Sequence, residues 1–284
     1  MDIKEIIESE FGFTVHNIAV PGQVIDSTAY LVNNEYIFKR SKHYEAGIRL
    51  KKEVQVLNCI KGKLTLQIPD IEYYSEKYSV CGYREIKGDK MTPDIYQNMS
   101  GSEKDRLAQD IALFLKEMHT VPLPDIDGLE CDVIEDYKGD YYALRATVYD
   151  KIPDKSKEYL DGLFKRILND ERITKYVKAL CHNDLSSNHM IVQNNKLVGI
   201  IDFGDTAVTD RDKDFVYLLE DSRQEIGREF GVKVLEYYGH PNKDIPFLKA
   251  DLNDEYYPIE QILGGQERKS DDMYSKGLNK IINI

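Results

Sequence analysis

Hydrophobic alternation and helical spacing divide the chain into two unlike parts. In the first, Val15 to Val20, Ala29 to Asn33 and Glu35 to Lys39 space their apolar side chains as strands do, and Asn33-Asn34 marks a tight hairpin turn. Around Ile48 to Ile60 the period changes: Leu50, Val54, Leu57 and then Cys59 or Ile60 recur as on a helix, before Val80 to Ile86 returns to a strand ahead of Lys87-Gly88. The first ninety residues therefore read as a small sheet with one helix. Beyond Gly88 helical spacing takes over. Ser102-Glu103-Lys104-Asp105 has the shape of a capping box, with Asp in place of the usual Glu, and opens a helix whose Leu107, Ile111, Phe114, Leu115 and Met118 form one stripe up to Pro122. Leu160 to Leu168, Ile226 to Tyr238, Tyr256 to Leu263 and Met273 to Ile282 carry further helical patterns.

One stretch breaks this helical part. Two apolar strands, Met190-Ile191-Val192-Gln193 and Lys196-Leu197-Val198-Gly199-Ile200-Ile201, are joined by Asn194-Asn195, a residue type that tolerates the positive φ of a two-residue turn. A turn centred there brings His189 and Asp202 out at the open end within about one strand pair of each other, with Asp184 on the loop just before. Packing alone does not require two carboxylates and an imidazole in so small a volume, and a divalent cation would relieve their repulsion. Mg²⁺ takes hard oxygen ligands and keeps waters and substrate phosphates in its shell, so Asp202 with a neutral side chain suits it. His189 is the first choice for that side chain and Asn188 the fallback. Asp184, left off the metal, is positioned to accept the proton of an incoming hydroxyl.

Composition narrows the partners. With 284 residues, 42% apolar and 31% charged, the chain is ordinary globular protein, long enough for two modest domains or one bilobed one. The 50 acidic residues exceed the 38 Lys and Arg and give a formal charge of −12, the wrong sign for gripping nucleic acid and the right one for cationic small molecules. No stretch approaches the roughly 18 apolar residues of a membrane span, and the charged start lacks a signal peptide's apolar run, so a cytoplasmic, membrane-free protein is expected. Cys59, Cys81, Cys131 and Cys181 show no CxxC pairing and are expected to be reduced.

The pattern His182-x-Asp184, followed by Ile201-Asp202-Phe203-Gly204-Asp205, resembles the kinase-like aminoglycoside phosphotransferases, in particular those that phosphorylate the 2″-hydroxyl. Residues 29–39, 82–88 and 215–222 look most like the phosphotransferase half of bifunctional acetyl- and phosphotransferases. The resemblance implies an α+β, protein-kinase-like bilobal fold. Its small antiparallel-sheet lobe, residues 1–88 with the hinge, would bind the nucleotide; its larger helical lobe, 89–284, would carry the catalytic hairpin and an acidic substrate pocket.

By that resemblance Asp184 is the catalytic base and Asp202 the main magnesium ligand. His189 stands where the commoner pattern has Asn, and some relatives of the 2″ type carry His there. Lys39 is the lysine that holds the α- and β-phosphates, with Glu53 as its helix-borne ion-pair partner. Pro21 to Thr28 has a single glycine and is not GxGxxG, so Ser27 and nearby N–H groups would cradle the phosphates. Arg84 and Ile86 would offer backbone groups to the base, and a bulky Tyr83 resembles relatives that prefer GTP over ATP.

On the substrate side the acidic run Asp205, Asp210, Asp212, Asp214, Glu220, Asp221 and Glu225 matches a polycation. By analogy Asp214 is structural, Asp205, Glu220 and Glu225 meet ammonium groups, and Tyr257 faces a sugar. The implied activity is Mg²⁺-dependent transfer of a nucleotide γ-phosphate to the 2″-hydroxyl of a 4,6-disubstituted aminoglycoside by a monomer. The alternatives are a related choline or sugar kinase and a catalytically inactive kinase-like binding module. A protein kinase is disfavoured because no Ala-Pro-Glu segment follows Asp-Phe-Gly.

Overall fold

A computed structural model describes residues 1–23, 26–220 and 226–284. The chain opens with α1 (Ile3–Phe11), held by a capping box in which Asp2 and Glu5 each accept the other's backbone N–H, at 2.8 and 3.0 Å. This helix adds to the one expected in the first ninety residues. Nine residues are too few to hold a helix alone; Ile3, Ile6 and Ile7 secure it by packing on Val15, Val32 and Phe38.

Strands β1 (Ile18–Gln23), β2 (Ser27–Val32) and β3 (Tyr36–Ser41) follow, then α2 (Tyr44–Ile60), β4 (Ile71–Ser75) and β5 (Val80–Arg84). They form one antiparallel sheet in the order β1-β2-β3-β5-β4. The β2–β3 turn has Asn33 and Asn34 at φ 54° and 56°, the left-handed values that a two-residue hairpin needs. Strand β1 starts three residues later than Val15 and slips register between Ala19 and Gly22, around Pro21, which has no N–H to give a ladder.

The second part is mainly helical: β6 (Asp89–Lys90), α3 (Pro93–Asn98), α4 (Gly101–Thr120), α5 (Val133–Thr147), α6 (Asp154–Asn169) and α7 (Glu171–Thr174) lead to β7 (Lys178–Cys181). Helix α4 is capped two residues before the expected place. Ser100 and Glu103 form the capping box, with Ser100 N–H donating to Glu103 Oε2 at 2.7 Å. Asp105 is too short to reach back to Ser102 and instead meets Lys233 and the Tyr237 hydroxyl at 3.1 and 2.5 Å. The apolar stripe of α4 is buried along its length and joins the largest core, beneath Met190, Ile200, Phe203 and Phe215.

After β7 the hairpin β8 (Met190–Gln193) and β9 (Lys196–Ile200), strand β10 (Ala207–Asp210) and helices α8 (Lys213–Leu219), α9 (Arg228–Tyr238), α10 (Asp244–Glu267) and α11 (Asp271–Ile282) complete the chain. Strand order is β6-β8-β9 in one small sheet and β10-β7 in the other. Helix α10 is 24 residues long and continues through Pro258. It packs with α5, α6 and α11 in a separate core around Phe164, Tyr256 and Ile259. This antiparallel sheet beside a helical part is the α+β bilobal architecture that was expected. Among the described residues no helix is long and apolar enough to cross a membrane. The four cysteines are free thiols, with Cys81 and Cys181 buried.

A buried ion cluster fastens α10 to the segment behind the hairpin. Lys249 Nζ lies 2.5 Å from Asp210 and 2.9 Å from Asp212, and Asp212 also meets His240 Nε2 at 2.9 Å. Burial works to raise the Asp212 pKa, but His240 and Lys249 outweigh it and hold the carboxyl well below its usual range. Lys249→Met would strand two buried carboxylates, and a loss of about 3–5 kcal/mol is expected in urea unfolding. A loss under about 1 kcal/mol, the value of an exposed pair, would mean that the cluster is hydrated.

Candidate active site

The hairpin brings the acidic groups together through its register. Pairing runs Gln193↔Lys196 and Val192↔Leu197, slips by one residue, and continues Ile191↔Gly199 and Met190↔Ile200. Gly199 permits that course, because a Cβ there would stand 2.8 Å from the Gln67 carbonyl and 2.9 Å from Ile86. Past the slip, Ile201 N–H donates to the His189 carbonyl at 3.0 Å. Asp202 follows at φ 66°, a left-handed value that is uncommon for any residue but glycine and turns its side chain back over the hairpin's open end.

Two histidines in this loop have defined tautomers. His182 Nδ1 accepts the Asp184 N–H at 3.3 Å, so its Nε2–H is the donor to the Ile201 carbonyl at 3.1 Å, and burial lowers its pKa and favours the neutral ring. His189 Nδ1 is 2.7 Å from the Asp184 carbonyl and must donate there. Its Nε2 faces Asp202 Oδ2 at 3.6 Å, while Nδ1 is 3.6 Å from Asp184 Oδ2. A neutral ring nitrogen beside a carboxylate oxygen suits a cation between them. Asn188, the fallback, is exposed.

Lys39 enters from β3, whose register sets it between Ala29 on β2 and Cys81 on β5. Its Nζ lies 2.8 and 3.1 Å from the two oxygens of Glu53 on α2 and 3.0 Å from Asp202 Oδ1. Burial works against the charge, but Glu53 and Asp202 outweigh it and hold Lys39 well above its ordinary value. Burial likewise raises Asp202, and Lys39 and then His189 bring it below the usual carboxylate range. A continuous set of charges thus runs from Glu53 through Lys39, Asp202 and His189 to Asp184, and all five line one cleft with Ser27 and Asp205.

The loop that carries Asp184 is clamped from below. Asp214 on α8 accepts the N–H of His182 at 3.0 Å and of Asn183 at 2.7 Å, and His119 on α4 reaches its carboxylate at 2.9 Å. His119, Cys181 and Asp214 have the donor types of a metal site, but both Asp214 oxygens are already taken by these contacts.

The remaining candidates are spread around the cleft. The Arg84 side chain turns outward to Glu35 and Glu72 and over the Tyr36 ring, and the role expected of this residue at the hinge rests on its backbone. Tyr83 is partly exposed as a residue while its enclosed hydroxyl is pushed far up by burial. Asp210 and Asp212 face Lys249, and Glu220 is wholly buried and accepts from Asn253, so of the acidic run Asp205 alone lines the cleft among the described residues. Asp221 and Glu225 fall outside the described residues. Tyr257 turns toward α11, with Lys280 Nζ 5.2 Å over its ring. A second cavity beside the loop is lined by Asp210 of the acidic run and Lys249, together with Asn183, Lys213, Tyr217, Asn253 and Glu260, which sequence reasoning missed. The spacing of Asn253 and Glu260, one face of a helix two turns apart, was the available signal.

The profile of the phosphotransferase enzyme family matches residues 18–250. The chain is similar to APH(2″)-IIa in its gentamicin complex, at 33% identity and TM-score 0.92 over 100% of this chain and 97% of that one. It is similar to ADP-bound aminoglycoside phosphotransferase APH(2″)-Ib at 32% identity and TM-score 0.89, over 99% and 97%. The GDP and kanamycin complex of APH(2″)-IIIa matches at 26% identity and TM-score 0.85, over 97% and 95%.

Asp214→Ala removes two charge-assisted acceptors, each worth about 1.5–3 kcal/mol. Amide exchange at His182 and Asn183 is expected to quicken by about tenfold or more, with α11 amides unchanged. Unchanged protection at the two loop amides would show that other contacts hold the loop.

Proposed function

Because the chain belongs to the phosphotransferase enzyme family, we propose that it transfers the γ-phosphate of a nucleoside triphosphate to the 2″-hydroxyl of a 4,6-disubstituted aminoglycoside and so inactivates the antibiotic. The nucleotide binds between residues 1–88 and 89–284. What carries this reading is the charge set that links Lys39, Asp202, His189 and Asp184 along one cleft. The relatives in complex with gentamicin, kanamycin, ADP and GDP support its two ligand classes.

Lys39, fixed by Glu53, binds the α- and β-phosphates, and Ser27 lies at the phosphate end of the cleft. Asp202 and His189 Nε2 are the residues that would hold Mg²⁺, which when bound neutralises phosphate charge. Asp184 orients the acceptor hydroxyl and takes its proton on the carboxylate as the oxygen attacks phosphorus and the nucleoside diphosphate leaves with the bridging oxygen. Catalysis is then mostly alignment and charge neutralisation. Asp205 meets a substrate ammonium at the cleft mouth. Tyr83, which fills the depth beside the hinge, favours GTP over ATP.

Asp184→Ala is expected to lower kcat by about 10²- to 10⁴-fold with aminoglycoside affinity largely kept; near-normal turnover in the folded variant would remove Asp184 from the reaction. Incubation with GTP or ATP and kanamycin is expected to add one phosphate at the 2″ position by mass spectrometry and NMR, faster with GTP. Phosphorylation of choline but not kanamycin would favour the amine-kinase alternative, and Tyr83→Ala should raise ATP use relative to GTP.

A further inference from the structure

Among the described residues lining the cleft, one cation has no part in the mechanism above. Arg49 lies one turn before Glu53 on α2, so both side chains leave the same face of the helix and both line the cavity with Lys39, Asp184 and Asp202. Its guanidinium is held by Asp26, with Nη2 2.8 Å from Oδ2. Asp26 directly precedes Ser27 at the start of β2, and its other oxygen lies 3.1 Å from His43 Nε2. At 35% exposure Arg49 is not sealed in a buried structural pair.

The charge balance of the cavity gives Arg49 a task. Five carboxylates, Asp26, Glu53, Asp184, Asp202 and Asp205, line it against two full cations, Lys39 and Arg49. Lys39 is already shared between Glu53 and Asp202. An entering triphosphate adds several more negative charges, and the segment ahead of Ser27 has one glycine rather than a full phosphate loop. A bound divalent cation offsets only part of this. The planar guanidinium fork matches phosphate oxygens, and its contact to one partly exposed carboxylate can exchange. With Lys39 serving the inner phosphates, Arg49 is the other full cation that lines the same cavity as Asp184.

We propose that Arg49 is a phosphate-binding residue that exchanges Asp26 for the terminal phosphate of a bound nucleoside triphosphate. The proposal rests on the nucleotide-binding reading above. Asp26 then acts as a placeholder that keeps the guanidinium in the cleft when no nucleotide is present.

Isothermal titration calorimetry with GDP and with a non-hydrolysable GTP analogue, each with Mg²⁺, separates the two claims. For Arg49→Ala the analogue is expected to bind about tenfold or more weakly while GDP changes less than about threefold, the loss of one charge-assisted contact. Arg49→Gln, closer in size, replaces it if the alanine variant does not fold. Asp26→Ala is expected to leave analogue affinity equal or tighter. Equal weakening of both nucleotides in the Arg49 variant, with weakening in Asp26→Ala as well, would overturn the proposal and make Arg49 a strut for the adjoining turn. Failure of the wild-type protein to bind either nucleotide would instead overturn the nucleotide-binding reading.

Discussion

The contact between Lys39 and its two carboxylates is the constraint on which the site depends. Glu53 comes from the helix packed on the N-terminal sheet and Asp202 from the far side of the cleft, 163 residues along the chain from Lys39. A single ammonium therefore joins a strand, a helix and the end of a hairpin that no backbone ladder connects. Burial works against the charge of all three groups, and the attraction between the ammonium and each carboxylate opposes it. The local dielectric that makes each group costly alone makes the group of three strongly directional.

The molecule uses buried charge twice, with opposite outcomes. Around Lys249, Asp210 and Asp212 the carboxylates are buried and bridged by one ammonium, so the cluster fixes α10, while Asp210 and Lys249 also line the cavity beside the loop. Around Lys39 one side is open, and Asp202 has a second oxygen directed at His189. The same residue types thus fasten one part and leave another able to accept a ligand. Asp214 stands between these cases: it is wholly buried, yet it spends its charge on the backbone of the loop that carries Asp184.

Much of this was legible in the residues. The Asn-Asn turns announced both hairpins, and counting outward from Asn194-Asn195 put His189 beside Asp202 despite the slip near Ile191. That slip was not legible, because it follows from the close passage of Gly199 under Gln67, a tertiary contact. Helix α5 was missed because it buries little beyond Val133 and Leu144, so its periodicity is faint. The acidic run was legible only as a run, for a related reason. Charge in sequence does not say which way a carboxylate points, and a lysine forty residues on, in α10, turned two of the run inward. Helix α1 and the Ser100 cap rest on local hydrogen bonds whose sequence signals were present and passed over.

The left-handed backbone at Asp202 limits what the position can become. A β-branched side chain would clash with its own carbonyl there, and glutamate would keep the charge but carry the strain without aspartate's aptitude for that conformation. Glycine, asparagine and histidine take that conformation most readily besides aspartate, and none of them brings a negative charge. Keeping the anion at this point of the chain therefore favours aspartate over glutamate by the cost of that strain.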